Sequence, residues 1–178
     1  MNGPIWLVTG APGAGKTSVA DALCRRYPRA SHIPVDDLRE WVRSGFAGPL
    51  EWTDETTRQF GLARRSAARI AAEYSDAGFA VVIDDVVREP DLVDYIPNLG
   101  GRAMRKVLLA PSLAELLRRN TLPRGKSFDT AVLERVSREL HVSLAAANTP
   151  ERDWLVLDTT ALDVSGTVER ILASPSAA

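Results

Sequence analysis

The sequence predicts an α/β fold, helices packed on a mostly parallel sheet of five strands, and three observations lead there. Short β-branched runs alternate along the chain with longer segments of helical period, the pattern of helices laid on parallel strands. The 178 residues suit one domain with one buried core. Hydrophobic residues make up 45% and charged residues 25%, as in an ordinary globular chain, so disorder and fibrous architectures do not fit.

The first strand is Ile5 to Thr9. Lys16 to Tyr27 follows with Val19, Ala20, Leu23, Cys24 and Tyr27 on one helical face, which makes Cys24 a core residue. His32 to Val35 forms a second strand and leads into a short helix from Leu38 to Ser44. Gly45, Gly48 and Pro49 interrupt the pattern between Ser44 and Trp52. Thr53, Asp54 and Glu55 then open a long helix with Phe60, Ala63, Ala67, Ile70, Ala71 and Tyr74 at three- and four-residue steps, and Gly78 ends it.

Strands from Phe79 to Asp84 and from Met104 to Ala110 come next. Ser112 and Glu115 match a capping box that starts a helix through Leu116 and Leu117. A basic stretch with Pro123 and Gly125 runs from Asn120 to Phe128. Val132, Val136, Leu140 and Leu144 stripe the following helix, and Trp154 to Asp158 is the fifth strand. One domain over residues 1–172 with a frayed end at 173–178 accounts for the chain.

Charge narrows the function classes. Lys and Arg number 22 against 23 Asp and Glu, a formal charge of −1, so no global field attracts nucleic acid or an anionic membrane, and any anion must be caught locally. The single cysteine, Cys24, makes no internal disulfide, and no Cys/His cluster has metal-ligand spacing. No leader-like start and no apolar run of membrane-spanning length appear, so a cytoplasmic protein with neither membrane nor nucleic-acid partner is expected.

Gly10-Ala11-Pro12-Gly13-Ala14-Gly15-Lys16-Thr17 fits the P-loop pattern, directly after one predicted strand and opening a helix. Glycine lets successive backbone N–H groups turn inward around phosphate oxygens, and the positive end of the helix adds its field. Lys16 is expected on the β- and γ-phosphates of ATP, Thr17 on Mg²⁺, and Ser18 near the α-phosphate. The base-reading Asn/Thr-Lys-x-Asp tetrad of guanine-specific GTPases is absent, and the only Asp-x-x-Gly, Asp163 to Gly166, follows the last strand.

The second strand runs into Val35-Asp36-Asp37-Leu38-Arg39, which puts two carboxylates and an arginine at a carboxyl end of the sheet, where ligands of α/β folds bind. A carboxylate there can orient a hydroxyl nucleophile and accept its proton. Asp36 is the candidate base, with an N-cap of the short helix as its structural alternative.

Here the chain resembles the P-loop small-molecule kinases of the shikimate and gluconate kinase type, and more closely chloramphenicol phosphotransferase, the zeta toxin kinases and the polynucleotide 5′-kinase domain. The resemblance implies a three-layer αβα P-loop NTPase fold with sheet order 2-3-1-4-5 and a short lid at about residues 120–128. It implies that Asp36 is the base and that Arg39, of the Asp-x-x-Arg step, contacts substrate or phosphate. It places Asp84, at the acidic end of Phe79 to Asp85, beside the phosphates, with Mg²⁺ held through water. Arg88 matches a substrate-side arginine of the zeta toxin pattern, although Val86 replaces a hydroxyl residue. Within Arg118 to Lys126 it assigns Arg119 and Arg124 to the transferring phosphoryl group, with Arg119 also on the nucleotide.

Other residues are assigned to packing: His141 and His32 as structural histidines, and Trp6 and Trp154 inside the sheet. Trp41 and Trp52 flank the Gly/Pro interruption, where packing and stacking on an acceptor ring are equally open. Arg58, Arg64, Arg65 and Arg69 are expected on a solvated helix face. The expected activity is Mg²⁺-dependent transfer of the γ-phosphoryl group of ATP to a hydroxyl of a small molecule: antibiotic, sugar, nucleoside or nucleotide-sugar. A nucleotide-binding regulatory protein and a polynucleotide 5′-hydroxyl kinase are the alternatives.

Overall fold

The computed structural model describes residues 2–49, 51–120 and 130–174. Five strands, β1 (Ile5–Thr9), β2 (Ala30–Pro34), β3 (Ala80–Asp84), β4 (Met104–Leu109) and β5 (Trp154–Leu157), form one sheet in the order 2-3-1-4-5. Every neighbouring pair is parallel, so the expected "mostly parallel" sheet is fully so. Its helices are α1 (Lys16–Cys24), α2 (Val35–Glu40), α3 (Asp54–Asp76), α4 (Leu113–Asn120), α5 (Thr130–Ala147) and α6 (Val164–Leu172).

Alternation along the strands builds two cores. Ile5, Leu7, Val81 and Ile83 join Ala63, Ala67, Ala68 and Ala71 of α3, with Leu116 and Leu144 from α4 and α5. Trp6, Val8, Val82, Val107 and Leu109 join Val19, Ala20 and Leu23 of α1 and Val168 and Ile171 of α6. A strand buried on both faces reads as a continuous apolar run, as β1 and β3 do. The alanine stripe of α3 lets that 23-residue helix lie close on the sheet. Among the described residues no helix is long and apolar enough to cross a membrane.

Caps explain several boundaries. Thr53 Oγ1 accepts from the Thr56 N–H at 3.1 Å and Thr56 Oγ1 from the Thr53 N–H at 3.2 Å, a reciprocal box that fixes the start of α3. Gly78, at φ 80°, follows the helix in the left-handed region. The box expected at Ser112 is half made: Ser112 Oγ accepts from the Glu115 N–H, but the Ser112 N–H donates to Thr160 Oγ1 and the Glu115 carboxylate takes Arg118 and Arg119 instead.

Two expectations are corrected. The short helix predicted over Leu38 to Ser44 is α2, Val35–Glu40, capped by extended Pro34; Val35 is fully buried, which draws the first turn against the core. Asp36 is therefore inside the first helical turn and is no N-cap. Arg64 is not on a solvated face: it is 7% exposed, because it shares the inward stripe of Phe60, Ala67 and Ala71. Sequence reading also passed over α6, which Asp163 caps by accepting from the Gly166 N–H at 2.7 Å.

Candidate active site

The parallel sheet brings the ends of β1, β2 and β3 to one edge. Register aligns Val8, Asp84 and Pro34 across the three strands, so the loop after Thr9, the carboxylates after β3 and the first turn of α2 lie on the same side of the domain. This is the edge at which ligands of α/β sheets bind.

Gly10 to Thr17 joins β1 to α1. Gly13 and Gly15 stand at φ 92° and 93°, in the left-handed region that a side chain makes costly. Gly13 also has no room for one: a Cβ there would lie 2.8 Å from the Leu116 carbonyl oxygen and 2.6 Å from Asn120 Oδ1. Gly15 is the N-cap of α1 and has no side chain to cap it, so the first-turn N–H groups are left for another acceptor. Asn120, missed in the sequence, braces the loop from behind, its Nδ2 donating to the Pro12 carbonyl and to Ser137 Oγ, each at 3.0 Å. Lys16 is half-buried, and Thr17 and Ser18 are exposed at the helix mouth.

Thr17 Oγ1 donates to Asp84 Oδ2 at 2.7 Å. Burial acts to raise the Asp84 carboxyl, but the neighbouring His32 imidazole, the Lys16 charge and the Thr17 hydroxyl outweigh it and hold the group below the usual carboxylate range. The two residues assigned to the metal from the sequence thus lie together, with Asp84 held as a carboxylate. A hydroxyl and a carboxylate are the hard oxygens Mg²⁺ accepts, and that ion typically takes one or two protein oxygens with phosphates and water completing its shell. Among the described residues no group of three or more His, Cys, Asp or Glu side chains is placed to hold a metal ion.

Asp36 is 71% exposed, with Oδ1 3.7 Å from Arg39 Nη1. Arg39 is itself buried, at 5%, its guanidinium 3.6 Å from the centre of the Phe60 ring. Its Nη2 donates to the Ala47 carbonyl at 3.1 Å, while Nε has no partner among the described residues. Burial pushes this guanidinium downward, against the carboxylates of Asp36 and Asp85. Trp52 stacks on Phe60 at 5.0 Å between centroids, and both Trp52 and Trp41 remain largely exposed.

Beside Asp84, Asp85 anchors a buried network. Arg64 Nε donates to Asp85 Oδ2 at 2.9 Å, Tyr95 Oη to the same oxygen at 2.8 Å, and the Val86 N–H to Oδ1 at 2.7 Å. Arg64 Nη2 also donates to the Val86 carbonyl at 3.0 Å. Burial opposes the Arg64 charge, but Asp85 and Asp91 overcome it and keep the guanidinium strongly basic; burial and Asp85 push the Tyr95 hydroxyl well above its ordinary value. The network fixes the chain turn leaving β3.

Arg88 lies in that turn, half-exposed and paired with Asp91 at 3.2 Å. Arg119 donates through Nε to Glu115 Oε1 at 2.7 Å and through Nη2 to the Thr159 carbonyl at 2.9 Å, so here it ties α4 to the turn after β5. Arg124 and residues 121–129, where the sequence places a lid, lie outside the described residues. His32, assigned to packing, faces Asp84 across 3.7 Å; its position two residues before the end of β2, beside Val82, was the available signal.

Residues 5–141 match the profile of a family described as AAA domain. No curated protein matches the chain. Solved structures share the fold at low identity. A sugar kinase from Janibacter sp. superposes with a TM-score of 0.70 at 18% identity, over 96% of this chain and 92% of that one. A shikimate kinase from Bacteroides thetaiotaomicron gives 0.68 at 20%, over 95% and 96%. The tunicamycin resistance protein of Deinococcus radiodurans gives 0.66 at 19%, over 96% and 94%. The fold is therefore that of the P-loop small-molecule kinases.

Proposed function

The chain belongs to the AAA domain family, and on that premise we propose that it is a kinase transferring the γ-phosphoryl group of ATP to a hydroxyl of a small molecule. One observation carries the reading: a glycine loop opening α1 stands against an ionised carboxylate at the end of β3, with Thr17 bonded to Asp84. The likeness to a sugar kinase and a shikimate kinase supports a small alcohol as acceptor.

In this reading the backbone N–H groups of the loop and Lys16 hold the phosphate chain, and Thr17 and Asp84 hold Mg²⁺. Bound there, the cation neutralises charge on the phosphate oxygens. Asp36 orients the acceptor hydroxyl and takes its proton as the oxygen attacks the γ-phosphorus and the bond to the β–γ bridging oxygen breaks, releasing ADP. Arg39 and Arg88 face the acceptor side. Arg119, and Arg124 from the lid, offset charge on the transferring group, which requires Arg119 to leave Glu115.

The experiment screens sugars, nucleosides and hydroxylated antibiotics for ADP release above the water-only background, with wild type and Asp36→Asn side by side. Asp36→Asn should keep ATP affinity and lose acceptor-dependent release by about 10²- to 10⁴-fold. Unchanged release in Asp36→Asn refutes the proposed base.

A further inference from the structure

The ring of His32 stands between two carboxylates. Nε2 lies 3.7 Å from Asp84 Oδ2 on β3, and Nδ1 lies 3.7 Å from Asp21 Oδ1 on α1. The sides differ. Asp21 is half-exposed and already accepts from Arg25 at 2.7 Å, so water reaches that flank. Nε2 is buried and has no hydrogen-bond partner among the described residues. A buried ring nitrogen left unpaired is unfavourable, and one held a fraction of an ångström beyond bonding distance needs only a small shift to be satisfied.

The oxygen it faces is the one that accepts from Thr17. A divalent cation arriving at Thr17 draws on the Asp84 carboxylate, which among the described residues accepts the Thr17 hydroxyl on Oδ2. Carboxylates at metal sites are themselves held by an outer layer of donors. Asp84 can only accept, so the bonding proton must sit on Nε2.

We infer that His32 is a positioning residue for the cation site: its Nε2–H closes onto Asp84 Oδ2 when the cation binds and fixes the carboxylate beside Thr17. The inference rests on the reading that the Gly10 to Thr17 loop takes a nucleotide with a divalent cation.

The test uses the full chain saturated with ADP and reads Mn²⁺ binding from the electron paramagnetic resonance of the free ion, with ADP affinity in EDTA measured separately. His32→Leu keeps the volume and removes the donor; His32→Gln restores an amide donor near Nε2. His32→Leu should weaken Mn²⁺ by about 10- to 100-fold with metal-free ADP affinity unchanged, and His32→Gln should recover most of the loss. If His32→Leu does not fold, His32→Asn, whose shorter amide leaves the gap to Asp84 open, replaces it. Mn²⁺ held as tightly as by wild type, equal losses with and without metal, or no recovery in His32→Gln overturns the inference while leaving the kinase reading intact. A wild type that fails to bind ADP removes both.

Discussion

Thr17 and Asp84, 67 positions apart in sequence, meet at 2.7 Å where the first turn of α1 passes the end of β3. The contact joins the glycine loop to the acidic end of β3.

Asp84 makes that contact dependent on pH. Its folded-state pKa lies below the unfolded value, so the group contributes stability that is present above the unfolded pKa of about 3.9 and lost as pH falls from there through the lower folded value. The difference in unfolding free energy between wild type and Asp84→Asn, measured by urea titration, should be flat near neutrality and shrink across that acid window. A difference that stays constant there contradicts the assignment.

Gly13 and Gly15 should not respond alike to alanine. At Gly15 an added Cβ meets nothing within 4 Å, so Gly15→Ala carries only the cost of the left-handed conformation, about 1–2 kcal/mol. At Gly13 the same atom also drives into the Leu116 carbonyl and the Asn120 amide, adding roughly another 1–3 kcal/mol. Chemical denaturation of the two variants measures the gap, and equal losses would show that α4 yields freely to the loop.

Arg64 should matter more to stability than any exposed arginine of α3. Arg64→Met leaves the Asp85 carboxylate and the Tyr95 hydroxyl buried around a missing cation, at a cost of about 3–5 kcal/mol. Arg58→Met breaks only a solvent-screened surface pair with Glu55 and should melt close to wild type. Thermal unfolding compares them. Arg64→Met melting with Arg58→Met would leave the network without a stabilising role.

What the sequence made legible follows the range of the forces involved. β1, the glycine loop and the start of α1 were readable to the residue, because chain-local geometry dictates glycine, lysine and threonine at fixed spacing. β2 begins at Ala30, earlier than expected, because an edge strand with a half-exposed face carries a weak apolar pattern. Arg64 departs from the expected solvated face because spacing does not reveal the partner waiting inside, Asp85, which follows a strand remote in sequence; the carboxylates facing His32, Asp84 and Asp21, are likewise supplied by other elements. Glu115 shows the converse, a local signature diverted by stronger pairs with Arg118 and Arg119. Arg39 is read as a ligand contact, but its burial rests on Phe60 of α3 and on Phe46 and the Ala47 carbonyl of the following loop, contacts that local spacing does not reveal.

The most direct measurement is equilibrium titration of ATP with Mg²⁺ into wild type and Lys16→Ala. Wild type should bind saturably, and the variant should lose about 10- to 100-fold in affinity, the worth of one charge-assisted contact to phosphate. Equal binding by the two proteins, or none by wild type, would contradict the claim that the Gly10 to Thr17 loop grips a nucleotide.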